Sequence, residues 1–495
     1  MCLGLRYQNN RVPYEINGRF YNFDPATGNL VVPDQDALGR INPGLSPALR
    51  SRIVTAQSAG FPGKLVQSQN GWNPRIGIAY RGFKDYVVRA GYGVYNHLVA
   101  NGTTGNNNIF SAGAEDFTNA LVNNAPLFDL SNPFPSGTGG GTRPVGGISA
   151  GGINRSIKTP RTDQWNLSVD REIFLKFGLR TSYVGSKTTH ATYRRNINLP
   201  PPSTIPFTSG RLIYPAYTGV TFTDSGGNVS YHALDIEARR SLDHGIYLNF
   251  GYTLAKQMTD VDEGGIQGTW GSSGALGPVI QNPYNRAGEK SNAHAIPRHF
   301  LKAVYTWDFP VGKGRTWLNN PTTFGGAVLD RIVGGWTFTG TGYAHSGWWF
   351  TPFYSGFDSA NTGQFTTRPD RVGSGKAANR TPTNLFQVSD FVQQPAGRYG
   401  NSAPRVIEGL GAWKMDMGAY KSIALTSYEK GPELRIGMTS SNIFNHPNKA
   451  PWMNSAWLIN SPRTVGIADD YYYDSVVSGG LGAWRFVRFD VSVRF

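Results

Sequence analysis

The chain reads as all-β: an antiparallel transmembrane β-barrel with long extracellular loops and short periplasmic turns. Three observations predict this. Segments of about 9–11 residues alternate apolar and polar side chains, the length and period of a tilted strand that crosses a bilayer. The gaps between segments are long, then short, then long again. The final segment, Trp484 to Phe495, ends the chain on an aromatic residue. From Val487 onward its alternation is strict. Val487, Phe489, Val491, Val493 and Phe495 share one face, and Arg488, Asp490, Ser492 and Arg494 share the other. Successive strand side chains point to opposite faces, so this strand separates oil from water.

The remaining segments follow from the N-terminus. Cys2 to Tyr7 alternates already, and a long gap holds Asn22-Phe-Asp-Pro25. Pro74–Tyr80 and Tyr86–Tyr95 form a hairpin across Arg81-Gly-Phe-Lys84. A gap rich in Gly and Asn precedes Gln164–Arg171, a turn at Lys176–Gly178 and Leu179–Lys187. The clearest hairpin is Tyr231–Lys256, turning at Asp243-His-Gly245 between two alternating runs. His299–Trp307 and Trp336–His345 flank a medium connection with a short helix expected near Ala327–Val333. Trp413–Ile423 and Leu434–Asn445 precede the last long gap. The total is roughly 12 strands. A soluble sandwich or propeller would show turns of similar length at both ends, or a fixed blade repeat. Neither pattern is present.

Composition agrees. The 495 residues are 39% hydrophobic, 13% aromatic and 16% charged, with 62 glycines. A disordered chain would carry more charge and fewer aromatics. No apolar run approaches the ~18 residues of a spanning helix. Mean hydropathy is −0.35, as expected where every second residue of a wall faces a polar lumen. Net charge is +15. The Lys and Arg are scattered singly, which suits anionic lipid headgroups or a solvated lumen and gives no nucleic-acid stripe. The single cysteine, Cys2, excludes an internal disulfide framework. No secretory leader is evident, and alternation starts at once. The chain is therefore expected to be the C-terminal part of a longer protein, one barrel domain over residues 1–495.

Particular residues carry a family likeness. Gly4-Leu-Arg-Tyr7, Asn22-Phe-Asp-Pro25, Asn73-Pro-Arg-Ile-Gly77, Val88-Arg-Ala-Gly-Tyr-Gly93, Asn282-Pro-Tyr-Asn285, Gly334-Gly-Trp336, Arg368-Pro-Asp-Arg-Val-Gly373 and Asn442-Ile-Phe-Asn-His-Pro-Asn448 occur in that order. In these motifs the chain resembles the C-terminal barrel part of Oar-like TonB-dependent outer-membrane receptors. The resemblance implies about 22 strands in the intact barrel, of which this chain supplies roughly 12. It also implies a signal peptide, an N-terminal domain, a TonB box and a plug, all expected to lie outside this chain. The implied role is receptor or transporter for a bulky ligand at the outer membrane of a Gram-negative bacterium, energised through TonB by way of that plug. Implied partners are outer-membrane lipid, lipopolysaccharide and the barrel-assembly machinery, the last engaged by the C-terminal strand. A structural or adhesive surface protein, with loops serving cell contact, is the alternative.

Catalytic constellations are not found. There is no His-Glu-x-x-His, paired-cysteine or Gly-x-Ser-x-Gly motif, and Gly373-Ser-Gly-Lys376 lacks the upstream glycine of a phosphate loop. No enzyme activity and no cofactor are expected. Asp260, Asp262 and Glu263 are the candidate metal ligands, since three loop carboxylates suit a hard cation. A solvated loop tip is the more economical reading. Tyr471, Tyr472 and Tyr473 are the candidate ligand contacts, because aromatic rings stack on sugars or siderophore-like rings. Trp348-Trp-Phe350 reads as a membrane-interface belt. Arg89, Asp170, Asp235, Glu237, Arg239, Asp416, Arg488, Asp490 and Arg494 are expected to line the lumen, mostly as cross-strand ion pairs.

Overall fold

The structure is a computed structural model. It describes residues 1–495 except 12–14, 44, 84, 98–108, 111–120, 123–124, 127–147, 244, 262–279, 314, 320–321, 427–430, 451–457, 462, 464, 469, 472–483 and 495. One antiparallel sheet dominates. Its main path runs in chain order through β1 (Cys2–Asn10), β2 (Gln69–Phe83), β3 (Tyr86–Asn96), β4 (Arg161–Ile173), β5 (Phe177–Asn196) and β6 (Tyr217–Asp243). It continues through β7 (Ile246–Thr259), β8 (His299–Asp308), β9 (Trp336–His345), β10 (Ala412–Ala424), β11 (Glu433–Ser441) and β12 (Phe486–Arg494). Two short strands join from the side: Ile148–Ile153 pairs parallel to β6, and Ser291–Asn292 pairs with β7. Among the described residues β1 and β12 are the two edges and do not pair with each other, so the sheet is open.

The register explains why this sequence forms a wall. Ile78, Ala90, Leu167, Tyr183, Leu234 and Leu254 sit in one row across β2 to β7. Ile246, Trp307, Phe338, Ala419, Met438 and Phe489 form another row on that face across β7 to β12. The opposite face carries Arg89, Ser168, Ser182, Asp235 and Thr253 in register. A one-residue slip of any strand would send its apolar set to the polar face, so the alternation itself holds the register.

Short connections lie at one end of the strands and long ones at the other. Phe174–Lys176 joins β4 to β5, and the β2–β3 and β6–β7 hairpins close within two residues, at 84–85 and 244–245. The longer β8–β9 link contains a helix, Phe324–Val333, which begins where the Thr323 hydroxyl accepts from Gly326 N at 3.1 Å. Gly335, at φ 67°, then reverses the chain into β9.

The buried apolar core is in the long connections, not in the wall. One cluster gathers Tyr21, Phe23, Leu30, Val32, Leu49 and Ile109 against Tyr217 and Phe222 at the start of β6. A second gathers Phe353, Leu385, Phe386, Phe391 and Ile407. β5 and β6 reach this level because they run for 20 and 27 residues, well beyond the predicted Leu179–Lys187 and the predicted start at Tyr231. The register shifts between Thr188 and Ala191, where His190 takes φ 57°. Past that point β6 packs Tyr217, Val220 and Phe222 into the loop core and pairs with Ile148–Ile153, so the two-residue period gave no sign of the extension.

Candidate functional site

The loops form a hydrogen-bonded cap over the long-gap end of the wall. Asn22 fastens its first half. Its Nδ2 donates to Leu65 O at 3.1 Å and Ile153 O at 2.9 Å, and its Oδ1 accepts from Ile153 N at 2.8 Å. Tyr214 and Tyr217 donate to Pro25 O and Gly28 O at 2.7 and 2.8 Å. Phe23 is edge-on to both tyrosine rings, at 4.9 and 5.5 Å. The Asn22-Phe-Asp-Pro25 motif is therefore a structural clasp.

The second half centres on Arg368. Its guanidinium makes a forked pair with Glu289, at 2.7 and 2.8 Å, and both side chains are only 3% exposed. Arg368 Nε also donates to Ser402 O at 2.8 Å, and Glu289 Oε1 accepts from Gln281 N at 3.2 Å. A buried charge needs this degree of satisfaction. Arg398 grips Asp370 from the cap surface, holding that carboxyl below the usual range, and Asn401 N adds a hydrogen bond at 2.9 Å. Burial pushes the Tyr399 phenol up to about 12. The halves are tied together: Arg211 donates to Asn361 O at 2.7 Å, Asn361 donates to Ser203 O at 2.8 Å, and Tyr284 donates to Leu199 O at 2.7 Å.

Asp470–Tyr471 pairs with Lys449–Ala450 as a short loop ladder, which places the Tyr471 backbone in the cap. Tyr472 and Tyr473 lie outside the described residues. Asp260 sits beside Arg286 at 3.3 Å and accepts from Asn228 N at 2.6 Å. Asp262 and Glu263 lie outside the described residues, and no cluster of three metal-binding side chains occurs among those described. On β12, Val487, Phe489, Val491 and Val493 share one face by register, the face that carries the apolar rows of the neighbouring strands. Phe495 lies outside the described residues. The residues expected to line the lumen share the opposite face. Arg89 and Arg180 both reach Asp170, Asp235 accepts from Thr253 Oγ1 at 2.5 Å, Asp416 lies 3.3 Å from Lys414, and Arg488 lies 3.4 Å from Asp490. Glu237, Arg239 and Arg494 belong to this face by register.

Trp348-Trp-Phe350 is a correction. The three residues are half-buried in the cap base, where His294 packs edge-on to Trp348 and Phe350 at 5.6 and 5.0 Å and His345 stacks on Trp348 at 6.2 Å. Aromatic content alone does not separate a belt from a loop core. The belts lie elsewhere on the outer face. Near the cap they include Tyr7–Trp72, at 4.8 Å, and Trp413. Near the short turns they include Trp307, Phe309, Trp336 and Phe338, with ring spacings of 5.2 to 6.3 Å.

An apolar outer face, two aromatic belts, a charged inner face and one-sided long loops define the wall of an outer-membrane barrel. Residues 1–470 match the family model described as "outer membrane beta barrel domain". The chain belongs to that family, which places it in the outer membrane of a Gram-negative bacterium. A search of curated proteins gives no match. Among solved structures the chain is similar to the outer membrane transporter YddB from Escherichia coli, at 11% identity and TM-score 0.38, over 77% of this chain and 38% of that one. It is also similar to BauA, the ferric preacinetobactin receptor from Acinetobacter baumannii, at 12% identity and TM-score 0.34, over 86% and 36%. A third is the ferripyoverdine receptor of Pseudomonas aeruginosa, at 11% identity and TM-score 0.35, over 77% and 31%. The chain spans less than two-fifths of the length of each.

Proposed function

We propose that the chain forms the wall and external cap of an outer-membrane receptor that takes up a bulky ligand, with energy delivered by TonB through a plug domain. The supporting observation is the cap: loops far apart in sequence are joined by a buried ion pair and by half-buried hydrogen bonds at the long-loop end of a sheet with a charged face. Such a platform holds a recognition surface in shape, as loops on a rigid scaffold do. In this reading Tyr471, Tyr472 and Tyr473 contact the ligand. The inner face meets the plug, and the work is binding and gating without bond chemistry.

The test uses outer membranes from cells that carry the gene in its native context. Solubilised membranes are passed over immobilised TonB periplasmic domain. The receptor reading expects the chain to be retained and to elute with excess soluble TonB domain. A chain that stays fully in the flow-through overturns energised uptake and leaves an adhesive surface protein as the better account.

A further inference from the structure

The helix Phe324–Val333 is inside out. Phe324, Val328, Leu329 and Ile332 are all exposed, Phe324 at 88% and Ile332 at 62%. At about 100° per residue, Phe324, Val328 and Ile332 fall on one narrow stripe, with Leu329 beside it. The side turned toward the protein carries Gly326, Asp330 and Val333, which are half-buried. Asp330 Oδ1 accepts from Lys313 N at 2.8 Å. A helix packed for water does the reverse, hiding its apolar stripe and showing its charge.

The helix is fixed to the wall at its C-terminal end. Trp336 Nε1 donates to Ile332 O at 3.0 Å. The Lys421 ammonium, from β10, hydrogen-bonds Gly334 O and lies 5.8 Å from the Trp336 ring. A cation there also answers the negative end of the helix dipole. Trp336 in turn stacks on Phe338 at 6.2 Å, and Phe338 meets Trp307 at 5.9 Å. These rings form the outer-face belt at the short-turn end. The exposed stripe of the helix is therefore continuous with the lipid-facing surface. The exposed cations Lys313, Arg315 and Arg331 outnumber Asp308 and Asp330 around it, which suits anionic headgroups.

We propose that Phe324–Val333 lies in the periplasmic headgroup layer of the outer membrane, with Phe324, Val328, Leu329 and Ile332 among the acyl chains of phospholipid. The β8–β9 connection is then a membrane-surface anchor that extends the barrel's grip on the inner leaflet. This rests on the membrane location of the wall and not on the transport reading.

The experiment places single nitroxide labels on the full chain in native outer membranes, in a Cys2→Ser background. Sites are Val328→Cys and Ile332→Cys on the stripe, Ala327→Cys off it, and Val491→Cys on β12 as the wall reference. Phe324→Cys repeats the reading if the Ile332 variant fails to fold. Collision with oxygen is compared with collision with a water-soluble nickel chelate. The anchor expects the oxygen-to-nickel ratio at Val328 and Ile332 to match Val491 and to exceed Ala327 at least about threefold. Three results overturn it. One is a water-like ratio on the stripe while Val491 stays lipid-like. Another is a stripe shielded from both reagents, which means a protein partner covers it. The third is a water-like Val491, which removes the wall itself.

Discussion

Replacing Glu289 with Gln tests whether the cap depends on its buried pair. The change keeps the shape of the side chain and removes its charge. Arg368 is then left cationic at 3% exposure without its counter-charge, and of its two bonds of 2.7 and 2.8 Å one is replaced by an amide NH2 facing a guanidinium N–H. Breaking a buried pair from one side costs about 3–5 kcal/mol. The surface pair Arg161–Asp163, with Arg161 half exposed, bounds the other extreme at about 0–1 kcal/mol. The cost should appear as local opening of the cap, because the pair joins two cap loops and no wall strand. Amide hydrogen exchange is the assay. Arg368 N, bonded to Gln281 Oε1 at 2.6 Å, and Arg405 N, bonded to Thr351 Oγ1 at 2.9 Å, report on the cap. Their exchange should quicken by about two to four orders of magnitude, at roughly 1.4 kcal/mol per tenfold, while β6 and β7 amides keep their rates. The double change Glu289→Leu with Arg368→Met should recover most of the protection, since no charge is then stranded. An acceleration below about tenfold for Glu289→Gln, or a double variant as open as the single one, would refute the reasoning.

Three further outcomes follow from the same structure. Val491→Arg puts a charge on the lipid face of β12 and should cost about 2–4 kcal/mol in urea unfolding from bilayers, while Ser492→Arg, one residue away on the inner face, should stay within about 0.5 kcal/mol of the parent. Gly335→Val should lower the refolded fraction sharply on heat-modifiability gels, because φ is 67° and the new Cβ would stand 2.5 Å from Ser422 O. Arg398 holds the Asp370 carboxyl below its ordinary value, so its contribution to cap stability is complete above about pH 4 and lost as pH falls through the depressed value. Protease cutting of the 346–411 loop should therefore rise with acid, and Asp370→Asn should flatten that rise.

The wall was legible because its physics is local. Lipid on one side and water on the other impose a period of two, and Ile246, Leu248, Phe250, Tyr252 and Leu254 show it without knowledge of their partners. The cap was not legible, because its bonds are distant. Arg368 is 79 residues from Glu289, and Tyr217 is 189 from Gly28. Arg368-Pro-Asp-Arg371 and Asn22-Phe-Asp-Pro25 were visible as motifs, but nothing local marked them as the clasp and the buried pair. Trp348-Trp-Phe350 misled because rings at a strand end satisfy a lipid belt and a loop core equally well. The β8–β9 helix was readable as a helix. Its outward apolar stripe was not, because that depends on Trp336 and Lys421 holding the polar side inward.

The most direct test of the account is a thiol-labelling scan of β12 in intact outer membranes. Cysteines are placed one at a time from 487 to 493 in a Cys2→Ser background and exposed to a membrane-impermeant maleimide. The account predicts strict alternation, with Arg488, Asp490 and Ser492 positions labelled and Val487, Phe489, Val491 and Val493 positions protected. Uniform labelling, or labelling in the opposite phase, would mean that this strand does not stand between lipid and an aqueous interior.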